Sequence, residues 1–396
     1  MRQRALRLQV HYFLLFAPVA TATTYLNLHF RRTGLSDSEI GTLGAVGAVV
    51  AVVSPPFWGY LADRAPDKRT LLAFLLLASG AAYSPFLLVR TYQGALLLQA
   101  LFSFFMTPCV ALTDALVLEQ LPRAGGDYGR IRLWGSLGFV STLLVFGLFL
   151  GGGPLSRHVS GGSLAPTFAA FAVARVLSVL WLLRVPSGKA PTRRSGYRGD
   201  LRELLGDPGF ALLLFSAFLC TAGLRAYYVF FSIYLDDLGV ADSLKGVFWS
   251  LGVLSEVLFM VFAARVLRRM GVRGMLALGM TGGAVRLLLF SLPLPLPILA
   301  LAQGLHALAF GATHIATVTF ISARVPDRLR ASGQTLYAGI VGGIGGAAGS
   351  RLAGDLAEAR GIPDAFRAGA LLALAAALVA ARLPQGKPGA GGRGEA

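Results

Sequence analysis

Along this chain, runs of twenty or more mostly apolar residues alternate with short connections rich in arginine, glycine and proline. A helix needs about 20 such residues to cross the roughly 30 Å hydrocarbon layer of a bilayer. Twelve runs meet that length, at 8–30, 38–62, 70–90, 94–121, 129–151, 165–184, 209–234, 243–265, 273–293, 295–322, 331–355 and 364–383. They occupy about two thirds of the chain, and the remainder suffices only for loops and tails. The basic start, Met1-Arg-Gln-Arg-Ala-Leu-Arg7, leads into an apolar run reaching about Phe30. That exceeds the usual signal-peptide core of about 7–15 residues, so it reads as a retained first helix.

Composition agrees with the pattern. Of 396 residues, 55% are hydrophobic and 14% charged, and the mean hydropathy is +0.66. Soluble domains average about 45–50% apolar and about 25% charged. The surplus apolar surface belongs against lipid, which excludes soluble enzymes, nucleic-acid-binding modules and disulfide scaffolds. A formal net charge of +17 would otherwise suggest a nucleic-acid partner. Here the basic residues sit at the ends of apolar runs and form no patch interleaved with aromatics, which predicts no nucleic-acid binding.

Alternate connections differ in their basic content. One set carries Arg2, Arg4, Arg7, Arg64, Lys68, Arg69, Arg123, Arg130, the basic residues of 184–202, Arg265, Arg268, Arg269, Arg273, Arg324, Arg328, Arg330, Arg382, Lys387 and Arg393. The other carries only Arg31, Arg32, Arg90, Arg157, Lys245, Arg360 and Arg367. Cytoplasmic loops hold the excess of Lys and Arg, so both termini are expected in the cytoplasm and the protein in the inner (plasma) membrane. The longest basic connection lies near the midpoint, with six runs on each side. The expected organisation is an N-terminal six-helix bundle at 1–184, a cytoplasmic linker at 185–208, a C-terminal six-helix bundle at 209–384 and a disordered tail at 385–396. The fold class is therefore an all-α membrane protein of twelve transmembrane helices in two pseudo-symmetric bundles.

Ionisable residues inside spans cost about 2.5–3.5 kcal/mol each even on a lenient scale, and commonly mark a polar cavity. The candidates are Asp114, Arg132, Arg175, Arg225, Glu256, Arg286, His306, His314, Arg351 and Asp355. Their spread over both halves predicts one cavity between them. Arg351 and Asp355, four residues apart near a span end, suit a surface ion pair. Arg175 suits a structural role, and Arg225 either role. Glu256 lies mid-span in Leu251-Gly-Val-Leu-Ser-Glu-Val-Leu-Phe-Met260, where burial disfavours its charged form; a carboxyl that is readily neutralised is what proton coupling needs. His306 and His314 are eight residues apart and share a helix face to within about 80°. No third ligand accompanies them, so they read as cavity lining, with no metal site and no cofactor expected. The glycine run Gly339–Gly349 lies inside an apolar span with no preceding strand, which makes it a close-packing surface rather than a phosphate loop. Lone Cys109 and Cys220 fall inside apolar runs and offer no disulfide framework.

The connection Gly59-Tyr-Leu-Ala-Asp-Arg-Ala-Pro-Asp-Lys-Arg69 resembles the signature loop of the major facilitator superfamily, with Pro66 at a usual glycine and Asp67 at a usual basic position. The resemblance implies a gating hinge built on Gly59, Asp63, Arg64, Lys68 and Arg69, with Asp63 capping or pairing with a neighbouring helix end. About 205 residues on, Ala264-Arg-Val-Leu-Arg-Arg-Met-Gly-Val-Arg273 stands in the corresponding place of the second half, with Arg268 where the acid would fall. Paired halves of this kind suit alternating access around a central site.

The stretch Thr113–Gly135 resembles the helix 4–5 region of the lactose permease family, where an acid and an arginine at the spacing of Asp114 and Arg132 hold the sugar. The segments Gly34–Gly41, Tyr128–Phe139, Trp249–Glu256, Gly304–His314 and Gly333–Tyr337 are more similar to the phenylpropionate permease and nucleoside:proton symporter branch. The resemblance implies substrate contacts at Asp114, Arg132, Phe139, Arg286, His306 and His314. Phe139 replaces the sugar-stacking tryptophan, the helix 8 acid falls on Val253, and the proton-carrying acid beyond the histidine falls on Ala309. Those departures put galactoside transport in doubt and move the proton role to Glu256. The expected activity is uptake of a small organic solute (an aromatic carboxylate, nucleoside or saccharide) with protons, by a monomer in lipid. The alternative is a proton-driven exporter of drugs or metabolites. A membrane enzyme would need a catalytic constellation, and none is seen.

Overall fold

The computed structural model describes residues 2–124, 127–150, 163–186, 200–326 and 329–384. Most of the expected linker and the whole expected tail from 385 lie outside these, as do Arg157, Lys189, Arg193, Arg194, Arg198, Arg328, Lys387 and Arg393.

The first half comprises α1 (Arg2–Arg32), α2 (Asp37–Ala62), α3 (Lys68–Tyr83), α4 (Tyr92–Ala124), α5 (Tyr128–Leu150) and α6 (Ala165–Leu182). A short α7 (Asp200–Leu205) precedes the second half. There α8 (Pro208–Asp237) is followed by α9 (Asp242–Phe290), then α10 (Leu296–Ala302), α11 (Thr313–Arg324), α12 (Arg330–Tyr337), α13 (Gly346–Arg360) and α14 (Ile362–Ala380). Among the described residues, nine helices are long and apolar enough to cross a membrane. The 49-residue α9 holds two of the passes, and α5 and the continuous helix from α12 to α13 complete the twelve.

Local chemistry sets the helix ends. Ser36 and Glu39 form a reciprocal capping box at α2, satisfying two backbone donors that a helix start leaves unpaired. Asp67 caps α3, and Asp207 caps α8 just ahead of Pro208. A loop is expected between spans 243–265 and 273–293, but the helix runs on to Gly271. That residue, at φ +68°, breaks it with a conformation glycine adopts at little cost. The span expected at 295–322 is also not uniform. Between α10 and α11 the backbone tightens into a 3₁₀ turn at Gln303–Leu305 and then widens into a π-helical turn at Ala307–Ala312. A second π-helical stretch, Ala338–Gly345, joins α12 to α13. Wide turns of this kind recur at functional sites.

The halves meet differently at their two ends. At the face away from the N-terminus, one buried apolar cluster runs through both halves, with Tyr25, Phe30, Leu143, Phe230, Trp249 and Phe366 among its members. Towards the N-terminal face each half has its own cluster, around Tyr12, Leu75 and Cys109 in the first and around Phe210, Met275 and Phe320 in the second. The polar contacts between halves follow the same division. Arg32 on α1 donates to Asp236 at 2.6 Å and to Asp242 at 2.7 Å, and Lys245 reaches the same two carboxylates at 2.9 and 2.7 Å. Tyr25 donates to the Asp242 carbonyl at 3.0 Å, Asn27 to the Val229 carbonyl at 2.9 Å, and the N–H of Asp37 to Glu358 at 2.8 Å. Helices α2 and α13 cross almost in contact, since a Cβ on Gly41 would lie 2.6 Å from the Gly354 Cα. The structure is closed at the far face.

Candidate functional site

Between the halves lies a cavity of two adjoining lobes that share Thr23 and Tyr228 in their walls. The first, of about 230 Å³, is lined by Phe16, Arg132, Ser136 and Phe139 from α1 and α5, and by Tyr227, Tyr228, Trp249, Glu256, His306 and Phe310 from the second half. Four of the predicted site residues, Arg132, Phe139, Glu256 and His306, thus converge on one space. Arg132 lies over the Phe16 ring at 4.2 Å and the Tyr12 ring at 5.7 Å, and makes no hydrogen bond or ion pair among the described residues. A guanidinium over an aromatic face gains from the ring quadrupole while its in-plane donors stay available.

Two further predicted residues stand behind or beside that wall. Arg286 is buried behind the first lobe, its NH1 3.1 Å from His306 Nδ1, its NH2 donating to Gln303 Oε1, and its guanidinium 3.8 Å from the Tyr227 ring. It has no carboxylate within ion-pair distance among the described residues, and its Nε is buried without an acceptor. Asp114 does not line either lobe. It accepts a hydrogen bond from Tyr12, whose ring has the Arg132 guanidinium 5.7 Å from its centroid, so among the described residues acid and arginine share an aromatic neighbour and form no ion pair.

The histidines flank the π-helical turn. His306, Phe310 and His314, at four-residue spacing, form a continuous stack, with ring centroids 5.7 and 5.8 Å apart and nearly parallel planes. His306 and Phe310 reach the first lobe, whereas His314 is exposed one step beyond it. On the other side of His306, Nε2 is 3.8 Å from Glu256 Oε2.

The second lobe, of about 430 Å³, is framed by α1, α2 and α4 of the first half and by α8 and Gly342 of the second. Asn27, Gln99, Ser103 and Thr107 line it, and so does Arg225, whose Nε donates to Ser350 Oγ at 2.8 Å. Arg175, by contrast, is sealed inside the first half with its donors turned to the Leu15 carbonyl and the Met106 sulfur, and lines neither lobe. Arg351 and Asp355 form an exposed pair at 2.9 Å.

The loop from Gly59 to Arg69 is tied down from several sides. The backbone N–H of Asp63 closes α2 by donating to the Gly59 carbonyl; its side chain makes no ion pair among the described residues. Arg64 folds over the Tyr60 ring at 3.5 Å. Lys68 reaches Glu119 at 2.7 Å, joining the start of α3 to the end of α4, and Arg69 pairs with Asp67 and donates to the Val185 carbonyl. Arg69 and the cap it makes with its own N–H hold the Asp67 carboxyl below the usual carboxylate range.

The sequence does not single out Tyr227, Tyr228, Trp249 or Gln303, because an aromatic or an amide inside an apolar run looks like filler until its neighbours are known. The nearest signal is the arginine three residues before Tyr228, on the same helical face.

Comparison with known proteins follows the geometry. The chain is 28% identical over 338 residues to the maltose permease of Geobacillus stearothermophilus, covering 84% of this chain and 83% of the permease. It is 28% identical over 334 residues to the protein named "Probable 3-phenylpropionic acid transporter" of Escherichia coli (strain K12), covering 80% and 82%. A crystal structure of the nucleoside transporter NupG superposes with a TM-score of 0.80 at 22% identity, over 95% of this chain and 97% of that one, and so shares the fold. With a family model described as "MFS_1 like family" matching residues 5–368, the chain belongs to that family of the major facilitator superfamily and is a membrane transporter of small solutes rather than an enzyme.

Proposed function

We propose that the chain is a proton-driven symporter that takes up a small organic solute across the inner membrane, with both termini in the cytoplasm. The observation that carries this reading is the row Arg286–His306–Glu256 ending at the wall of the first lobe. A guanidinium only donates hydrogen bonds, so Nδ1 of His306 is the acceptor from Arg286 at 3.1 Å. The imidazole proton then sits on Nε2, directed at Glu256 Oε2 3.8 Å away. Arg286 fixes the tautomer, and Glu256 is the group that changes charge.

Coupling follows from where the opposite charge lies. Glu256 is on α9 in the second half and Arg132 on α5 in the first, both lining the same lobe. Whatever parts the two halves also parts this acid from the Arg132 guanidinium on the opposite wall. The ionised form loses its Coulombic support, and proton uptake becomes easier. A solute held by Arg132 competes with Glu256 for the same guanidinium, so a loaded cavity keeps the proton and an empty one releases it. With the N-terminal face in the cytoplasm, the closed far face makes this the inward-facing state. The aromatic walls support a solute with a flat apolar ring, and the relatives' names include a maltose permease and a nucleoside transporter.

The test is proton movement in proteoliposomes, offering 3-phenylpropionate, uridine and maltose in turn to wild type and Glu256→Gln. One solute class is expected to draw protons inward with it, and the variant is expected to bind that class without the proton flux. Proton-driven accumulation that survives in Glu256→Gln overturns the coupling assignment. Solute extrusion driven by inward protons overturns uptake in favour of export.

A further inference from the structure

The second lobe contains a charge that the coupling scheme does not use. Arg225 has one acceptor, Ser350 Oγ at 2.8 Å, and no carboxylate within ion-pair distance among the described residues. Among the described residues its NH1 and NH2 have no acceptor, and the half-buried side chain lines the lobe. An arginine in a low-dielectric interior costs several kcal/mol unless its charge is balanced. Arg175 has its terminal donors committed to a carbonyl and a sulfur inside the first half. Arg225 keeps its terminal donors uncommitted at the rim of an opening.

The charge count around the whole cavity has one sign. Among the described lining residues, Arg132 and Arg225 face a single carboxylate, Glu256. Once Glu256 takes up its proton, two guanidinium charges have no counter-charge in the walls. The lobes also differ in character, the first walled by Phe16, Phe139, Trp249 and Phe310, the second having Asn27, Gln99, Ser103 and Thr107 set among mostly smaller apolar residues.

We infer that Arg225 is the anion-binding residue of a second subsite, and that the transported solute is an aromatic acid. Its ring lies in the first lobe and its acidic group against Arg225 in the second. A rigid planar fork suits a carboxylate, which can accept from both terminal nitrogens at once. The inference rests on the transporter reading above but not on its proton step.

Equilibrium binding to the purified full chain in detergent, without any gradient, separates the two. The probes are phenylacetate, 3-phenylpropionate and 4-phenylbutyrate at up to millimolar concentrations, each beside its neutral primary amide, read by ligand-induced thermal stabilisation and by calorimetry. At least one acid is expected to bind about 10- to 150-fold more tightly than its amide, the range of a charge-assisted hydrogen bond. Arg225→Gln is expected to remove that preference, and Arg225→Lys to restore part of it, with the amide's affinity changing far less than the acid's in both. Equal binding of acid and amide overturns the inference, as does an acid preference that survives Arg225→Gln. Failure of every acid to bind, in protein that melts cooperatively, overturns it too. If the Arg225-dependent preference appears without proton flux in liposomes, the subsite stands and the symport reading falls.

Discussion

Replacing Gly41 by alanine tests whether the closed far face is a joint that opens. Gly41 on α2 faces α13 of the other half, and an added Cβ would lie 2.6 Å from both the Gly354 Cα and the Ser350 carbonyl oxygen. Ordinary contact begins near 3.4 Å, so the two helices must part by about 0.8 Å, and crowding of that kind costs about 1–3 kcal/mol. Gly349 supplies the control. Its Cβ would meet the Ala222 carbonyl at 2.2 Å, but α13 and α8 belong to the same half and stay together in any rocking motion. The Gly349→Ala penalty is therefore carried in every state and lowers thermal stability. The Gly41→Ala penalty is relieved when the far face opens, so it shifts the population towards opening by about 5- to 150-fold. The readout is maleimide labelling of Ala22→Cys, a second-lobe position, from the far side of oriented vesicles. Faster labelling with little loss of melting temperature is expected for Gly41→Ala. An unchanged labelling rate with a stability loss matching Gly349→Ala would refute the idea that α2 and α13 separate.

Arg32→Gln should speed the same labelling by about tenfold or more, because it strips Asp236 and Asp242 of their cross-half partner and, among the described residues, leaves Lys245 alone to balance them. Labelling that stays slow in this variant would assign closure to packing alone. At the N-terminal face, burial alone would raise the Asp207 carboxyl. The Arg324 guanidinium at 2.6 Å and the Phe210 N–H at 2.7 Å more than offset this and hold it below the usual carboxylate range. Its stabilising contribution is then complete above the ordinary aspartate pKa and lost as pH falls through the lowered value. Asp207→Asn should accordingly flatten the acid side of the melting-temperature profile in detergent while leaving a lower plateau at neutral pH; a profile parallel to wild type would sink this assignment.

Apolar run length makes the twelve crossings legible, because crossing lipid is a one-dimensional requirement of about 20 residues. Breaks inside a helix are less legible. Nothing in 264–273 distinguishes a polar loop from a helix that ends at a single left-handed glycine, and nothing in Leu305–Ala312 announces a π-helical turn. That turn lies within the site, between His306 and Phe310 on the cavity and His314 beyond it. The intramembrane charges were legible as a set but not as individuals. Arg175 and Arg225 look alike in sequence, one inside Val-Ala-Arg-Val and the other inside Gly-Leu-Arg-Ala. Only packing separates the arginine sealed against Leu15 and Met106 from the one that lines a lobe. Asp114 shows the limit of a matching spacing, for the distance along the chain to Arg132 is silent about Tyr12, which takes the acid as its acceptor and stands beside the arginine.

The charged cluster that joins the halves lies mostly out of water, with Asp242 1% and Lys245 0% exposed. Mobile ions screen charges at a protein surface within about 10 Å at 0.1 M salt, but reach buried pairs much less. On the proposed orientation this cluster lies at the outer end of the carrier, so its grip should change little with the ionic strength on that side.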